Sequence, residues 1–160
     1  MLRSDERLTR ALELAYAYLN RQERTVSEVR RHLEQKGIAG ELIDASVQTL
    51  VDQGYLDDSR YAQMFVADKR ELEQWGNERI RLRLQARGID RDLVQAALLE
   101  VSGDEDADGE LERALGVLRR RFPQPPCDRR ERERALGILL RKGYDSELAL
   151  DALSAYAGED

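Results

Sequence analysis

An apolar pattern that occurs three times constrains the fold of this chain more than any other feature. Residues 31–47 (RHLEQKGIAGELIDASV) have counterparts at 82–98 and, more weakly, at 138–153. Aligned on Gly37, Gly88 and Gly143, the copies share five apolar columns. The columns are Val29, Ile80 and Ala135; Leu33, Leu84 and Leu139; Ile38, Ile89 and Tyr144; Leu42, Leu93 and Leu148; and Val47, Leu98 and Leu153. This spacing predicts a helix that ends at a glycine with positive φ, a short turn and a second amphipathic helix.

A third helix is predicted ahead of each pair, because apolar residues recur there at helical spacing. The residues are Leu8, Leu12, Ala15, Tyr16 and Leu19 in the first copy, Tyr61, Ala62, Phe65, Val66 and Leu72 in the second, and Leu111, Ala114, Leu115, Leu118 and Phe122 in the third. The expected fold is therefore all-α, with three tandem three-helix repeats in an elongated, curved array. We expect repeats at 1–54 and 55–101, and an acidic linker followed by the third repeat at 102–160.

Cap-like residues place the helix starts. The middle helix of each repeat is expected to begin after Ser27, Asn77 or Asp128, whose side-chain oxygens can accept hydrogen bonds from free backbone amides. The third helix is expected to begin at Asp90 in the second repeat and at Asp145 or Ser146 in the third.

Composition excludes several functional classes. The chain has 160 residues, a formal charge of −6, one cysteine (Cys127) and one histidine (His32). A lone thiol and a lone imidazole offer neither a zinc site nor a nucleophile with its base, so we expect no enzyme activity and no cofactor. No apolar run reaches the roughly 20 residues that span a bilayer, and the amino terminus does not resemble a secretory signal. A cytoplasmic protein without a membrane partner is expected.

Arginines on the predicted middle helices are the candidate binding residues. Arg79, Arg83 and Arg87 are four residues apart, so each is rotated only about 40° from the last and the three form one stripe. Auxiliary candidates are Arg30 and Arg31 in the first repeat and Arg130 and Arg134 in the third. Guanidinium groups can bind carboxylate or phosphate in a bidentate manner. The alternative is a solvated face whose charges are balanced by neighbouring glutamates.

Three further features favour structural interpretations. Residues 104–115 resemble the start of a calcium loop, but Leu115 stands where a bidentate glutamate is required, so no tight calcium site is expected. The helices that follow the glycine turns begin with acidic and apolar residues, which disfavours sequence-specific reading of the DNA major groove. Trp75 is interpreted as a core residue that closes the first helix of its repeat, with a stacking platform for a base as the alternative.

Residues 50–100 resemble the RecX family of bacterial regulators of the RecA recombinase. The resemblance is carried by GYLDDSRYAQMFVADKR and by RIRLRLQARGIDRDLVQAAL. It implies a non-enzymatic monomer that binds the RecA recombinase filament and inhibits its ATPase and strand-exchange activities in DNA repair. The arginine stripes would then contact acidic filament surface or DNA phosphate near the filament. A nonspecific DNA-binding helical module is the alternative, and a helical scaffold for another protein is a third class.

Overall fold

The computed structural model describes residues 3–100 and 107–159, and within these ranges the chain is helical with no strand. The helices are α1 (Ser4–Leu19), α2 (Val26–Gln35), α3 (Gly40–Asp52), α4 (Asp58–Leu72), α5 (Asn77–Ala86), α6 (Arg91–Glu100), α7 (Ala107–Arg121), α8 (Arg129–Lys142) and α9 (Ser146–Ala157). Consecutive groups of three pack together, which confirms the all-α fold of three-helix repeats. The first residues of the calcium-like loop and the 101/102 boundary lie outside the described residues, and the repeat boundaries stay predictions.

Each repeat has its own hydrophobic core, built from the columns that the sequence pattern predicts. Val29 and Leu33 are fully buried in the first repeat, and Ile80 and Leu84 occupy the corresponding places in the second. In the third repeat, Leu139 is fully buried and packs with the side chains of α7 and α9. Since burial of one such aliphatic side chain stabilises the fold by about 1.5–3 kcal/mol, each repeat is held mainly by its own stripe of apolar residues.

The glycine turns form as predicted. Gly37, Gly88 and Gly143 have φ of +81°, +84° and +103°, the left-handed region that a side chain disfavours. The amide of the next residue, Tyr144 in the third repeat, donates to the carbonyl five residues back, Leu139, at 3.1 Å. This geometry satisfies carbonyls at the end of the middle helix and reverses the chain into the third helix.

Two predicted helix starts are wrong. Thr25, not Ser27, caps α2 in a reciprocal pair with Glu28, and Gly76, not Asn77, precedes α5. The Ser27 hydroxyl instead donates to a carbonyl of the second repeat. Asp128, Asp90 and Asp145 cap their helices as predicted. Leu72 is also corrected: it is 77% exposed because the buried stripe of Ala62 and Val66 continues at Arg70, and Leu72 lies on another face of α4.

The same contact joins the first repeat to the second and the second to the third. At the first junction the Thr25 and Ser27 hydroxyls donate to the carbonyls of Arg87 and Gly88, at 2.7 and 3.1 Å. The amide of Val26 donates to the Asp58 carboxylate at 2.9 Å. The amino-terminal end of a middle helix is thereby docked on the glycine turn of the next repeat.

The second junction repeats this pattern with backbone donors. The amides of Gly76 and Glu78 donate to the carbonyls of Lys142 and Gly143, at 2.8 and 3.1 Å. Between them, the amide of Asn77 donates to the Glu110 carboxylate at 2.8 Å. At both junctions, three successive residues at the start of a middle helix contact the next repeat. They bind its glycine turn and an acid of its first helix.

Close backbone approach at the second junction leaves no room for a side chain on Gly76. A Cβ there would overlap the Gly143 carbonyl, whereas a Cβ on Gly40 would meet nothing within 4 Å.

Among the described helices, none is long and apolar enough to cross a membrane.

We expect Gly76→Ala to lower the free energy of unfolding by about 1–3 kcal/mol, because the methyl group must push the two repeats apart. Gly40→Ala is the matched control: it lies in the first turn of α3, and it should be neutral or slightly stabilising. Urea denaturation followed by circular dichroism measures both. Equal stabilities for the two variants would contradict the junction geometry.

Tyr144 gives the second junction a pH dependence. Its hydroxyl donates to the Gln74 carbonyl at 2.7 Å, and burial raises its pKa to about 12. The unfolded phenol titrates near 10, so the contribution of Tyr144 is fully present below about pH 10 and is lost as pH rises toward 12. Tyr144→Phe should show a smaller loss of stability between these two values. An identical loss in both proteins would refute the assignment.

Candidate partner-binding surface

The second repeat carries cations stacked along a row of aromatic rings, which we call the cationic seam. It comprises Tyr61, Phe65 and Trp75 with Lys69, Arg79, Arg83 and Arg87. Tyr61 and Phe65 are one turn apart on α4, with ring centroids separated by 6.3 Å. Trp75 follows α4 and meets Phe65 edge to face at 6.2 Å. The rings form a continuous floor beneath α5.

Trp75 is a core residue, as predicted, and is only 6% exposed. Its remaining ring surface is covered by cations, with Arg79 at 3.9 Å, Lys69 at 4.6 Å and Arg83 at 5.7 Å from the centroid. Each such contact is worth about 0.5–2 kcal/mol, depending on how far the cation is desolvated. Arg79 and Arg83 therefore contact the ring without an ion pair to a carboxylate within the described residues, whereas Lys69 also pairs with Glu73.

The other end of the seam is tied to the first repeat. Arg87 lies 5.9 and 5.8 Å above the Tyr61 and Phe65 rings and donates to the Tyr61 hydroxyl at 2.7 Å. It also lies 3.9 Å from the Glu28 carboxylate. Burial raises the pKa of Tyr61, and the nearby Arg87 charge partly opposes that shift. Arg87 therefore joins two repeats as well as facing the seam.

The other two principal candidates, Arg79 and Arg83, lie in different environments. Arg79 is half-buried, and its Nη1 donates to the Arg141 carbonyl at 3.1 Å. Arg83 is exposed and forms no hydrogen bond or ion pair within the described residues. Lys69 is neutralised by Glu73 at 3.0 Å. A guanidinium stacked on a ring keeps its N–H edge available, so Arg83 is the residue of the seam best placed to bind an incoming anion.

The four auxiliary candidates are separate from the seam in every contact of the described residues. Arg30 pairs with Asp44 at 2.7 Å, and Arg31 is exposed. Arg130 is exposed, and Arg134 lies 5.6 Å above the Phe122 ring. Their role as contacts stays a prediction.

A buried polar cluster beside the seam was missed by the sequence interpretation. Arg70 is only 6% exposed and donates to the Asn77 side chain at 2.9 Å and to the Leu98 carbonyl at 3.0 Å. The same Asn77 oxygen accepts from Arg113 of α7 at 3.3 Å. The available signal was position, since Arg70 continues the buried stripe of Ala62 and Val66 at helical spacing.

In the described part of the chain, no group of three or more histidine, cysteine, aspartate or glutamate side chains could hold a metal ion. The seam presents fixed positive charge over an aromatic floor, which is suited to carboxylates or phosphates on a partner.

Family models identify each repeat separately. The model of the RecX first three-helix domain matches residues 11–50, that of the second matches 57–98, and that of the third matches 108–153. The three matches together cover most of the chain.

Curated relatives and solved structures agree. The regulatory protein RecX of Trichlorobacter lovleyi is 37% identical over 127 residues, which are 78% of this chain and 80% of the relative. That of Xanthomonas campestris pv. campestris is 35% identical over 135 residues, or 84% of this chain and 80% of the relative. The crystal structure of RecX from Lactobacillus salivarius superimposes with a TM-score of 0.80 at 22% identity, over 95% of this chain and 97% of that one, and so shares the fold.

Trp75 provides a test of the seam. Trp75→Ala should lower the free energy of unfolding by about 3–5 kcal/mol, because it leaves a cavity and removes the ring beneath Arg79. Trp75→Phe keeps a ring at the same place and should cost clearly less. Urea denaturation of both variants decides the point, and a similar small loss in each would show that the ring carries little of the packing.

Proposed function

We propose that this chain, which belongs to the RecX family, binds the RecA recombinase filament and restrains its ATP hydrolysis and strand exchange. Its curated relatives are regulatory proteins. The proposal extends that regulatory role to a named partner in DNA repair and recombination. It describes a monomer that acts in the cytoplasm without a cofactor and without chemistry of its own.

The cationic seam is the observation that carries the proposal. Arg83 is exposed beside the Trp75 ring, and within the described residues neither Arg79 nor Arg83 forms an ion pair. A carboxylate on a filament subunit would gain a charge-assisted hydrogen bond there, roughly twice as strong as a neutral one. Since Arg79 is stacked on the ring and hydrogen-bonded to the Arg141 carbonyl, it loses little conformational entropy on binding.

The tandem architecture supports a filament as the partner. Three repeats joined by hydrogen-bonded junctions form one row, and the auxiliary arginines lie on the first and third repeats. A row of this kind can contact more than one subunit of a repeating partner, and linked weak contacts raise the overall affinity. In this proposal Arg79, Arg83 and Arg87 are the principal contacts, and Arg30, Arg31, Arg130 and Arg134 are the auxiliary ones.

Charge reversal at Arg83 is the cleanest test, because Arg83 makes no hydrogen bond that holds the fold. We expect the protein to inhibit the ATPase of RecA filaments on single-stranded DNA. Arg83→Glu should require at least about tenfold more protein for the same inhibition, which corresponds to a loss of about 1.4 kcal/mol in binding. Circular dichroism should show unchanged helix content.

Arg91→Glu is the matched control, since it makes the same charge change on an exposed residue of α6 in the same repeat. It should inhibit like the parent protein. The triple variant Arg79→Glu, Arg83→Glu, Arg87→Glu should lose inhibition entirely, but its stability must be measured because Arg79 also contacts Arg141 and Arg87 also contacts Glu28 across the junctions. Full inhibition by this triple variant would refute the assignment of the seam.

The alternative is nonspecific DNA binding without a recombinase. It would appear as binding to naked DNA that weakens steeply as salt rises, with one released counterion for nearly every phosphate neutralised. Inhibition of the ATPase without such binding supports the filament as the partner.

A further inference from the structure

A small cavity between the second and third repeats is lined by positive charge. It has a volume of about 190 Å³ and is bounded by Arg79, Arg121, Ile138, Arg141 and Lys142. Four of these five residues are cationic, and no acid is among them. The volume is below the roughly 300–1,000 Å³ of pockets that hold whole small molecules, so the cavity suits a single charged group with its water.

Two of the four cations are fixed by neutral acceptors. Arg79 is stacked 3.9 Å above Trp75 and donates to the Arg141 carbonyl at 3.1 Å. The Lys142 ammonium donates to the Glu73 backbone carbonyl at 2.8 Å, while the Glu73 carboxylate pairs with Lys69. Both side chains are thus ordered, and their charge is not neutralised by an ion pair within the described residues.

The other two cations, Arg121 and Arg141, come from the third repeat, as Lys142 does. Arg121 ends α7 and Arg141 lies in the last turn of α8, and both are exposed and make no side-chain ion pair in the described chain. Arg141 runs back along its helix over Gly137, where a Cβ would lie 3.1 Å from its Nη1. Because Gly137 has no side chain, it leaves room there for the guanidinium.

The positive charges of Arg79 and Arg121 act on Lys142, and the charge of Glu73 partly opposes them. The pKa of Lys142 is lowered first by burial and then by the positive charges of Arg121 and Arg79. An anion between these groups would offset that repulsion. A tetrahedral oxyanion fits better than a carboxylate, because its oxygens point in several directions and can accept from donors on different helices.

We propose that this cavity is a phosphate-binding site that ties the second repeat to the third. Arg121 and Arg141 supply guanidinium donors from the third repeat, and Arg79 supplies one from the second. The phosphate can be inorganic or belong to the backbone of a nucleic acid. Bound phosphate would stabilise the junction, because donors from both repeats would then share one ligand.

Titration with inorganic phosphate tests the site in the full chain. Isothermal titration calorimetry and the thermal midpoint should both detect binding, with sodium chloride used to hold ionic strength constant. Arg121→Ala and Arg141→Ala should each weaken phosphate binding at least tenfold. Arg132→Ala is the control, since this exposed residue is on α8 but does not line the cavity, and it should bind phosphate as the parent protein does.

A second arm uses a short oligothymidylate to distinguish the sources of phosphate. If the nucleic-acid backbone is the ligand, the oligonucleotide should bind more tightly than inorganic phosphate, compete with it, and lose affinity in the Arg121 and Arg141 variants. If only inorganic phosphate shows this dependence, the site is confirmed for the free ion. The proposal is overturned if acetate binds as well as phosphate, or if neither ligand distinguishes these variants from Arg132→Ala. These results are independent of whether RecA filaments are inhibited.

Discussion

Three hydrogen bonds between the start of a middle helix and the next repeat set the geometry of the whole row. At both junctions, two donors bind the carbonyls of a glycine turn and the amide between them binds an acid of the following helix. The donors are hydroxyls of Thr25 and Ser27 in one case and amides of Gly76 and Glu78 in the other. A neutral hydrogen bond contributes only about 0.5–1.5 kcal/mol, so their main effect is to fix how each repeat is oriented against the next. Because Gly76 has no side chain, the second junction closes to direct backbone contact.

This orientation fixes both ends of the cationic seam. Arg79 is bonded to the third repeat and Arg87 to the first, so the two ends of the α5 stripe are held by its neighbours. Arg83 lies between them, exposed beside Trp75. The proposed interaction surface and the scaffold thus share residues. Loosening a junction would also disorder the cations of the proposed partner-binding surface.

The fold could be predicted from the sequence because its signal is local and repeated. The glycine turns at Gly37, Gly88 and Gly143 and the buried columns around them follow from helical periodicity and positive φ. Other features depend on contacts between repeats, which periodicity does not encode. Ser27 was assigned to a cap, but the structure places its hydroxyl on the Gly88 carbonyl. The cations stacked on Trp75 and the cluster around Arg70 likewise require knowing which helices meet, and only the arginine stripe on α5 was visible in advance.

The two ends of the row differ in whether they could form another junction of the same kind. Gly37 carries the same turn as Gly88 and Gly143, yet a Cβ there would meet nothing within 4 Å, so this turn is uncovered. At the opposite end, α8 begins at Arg129, and the positions equivalent to Thr25, Val26 and Ser27 are Glu131, Arg132 and Glu133, already inside that helix. Their amides are no longer available to dock on another turn. A further repeat could dock the start of its middle helix on the Gly37 turn through the same three hydrogen bonds. The start of α8 could not dock on the glycine turn of another repeat in this way.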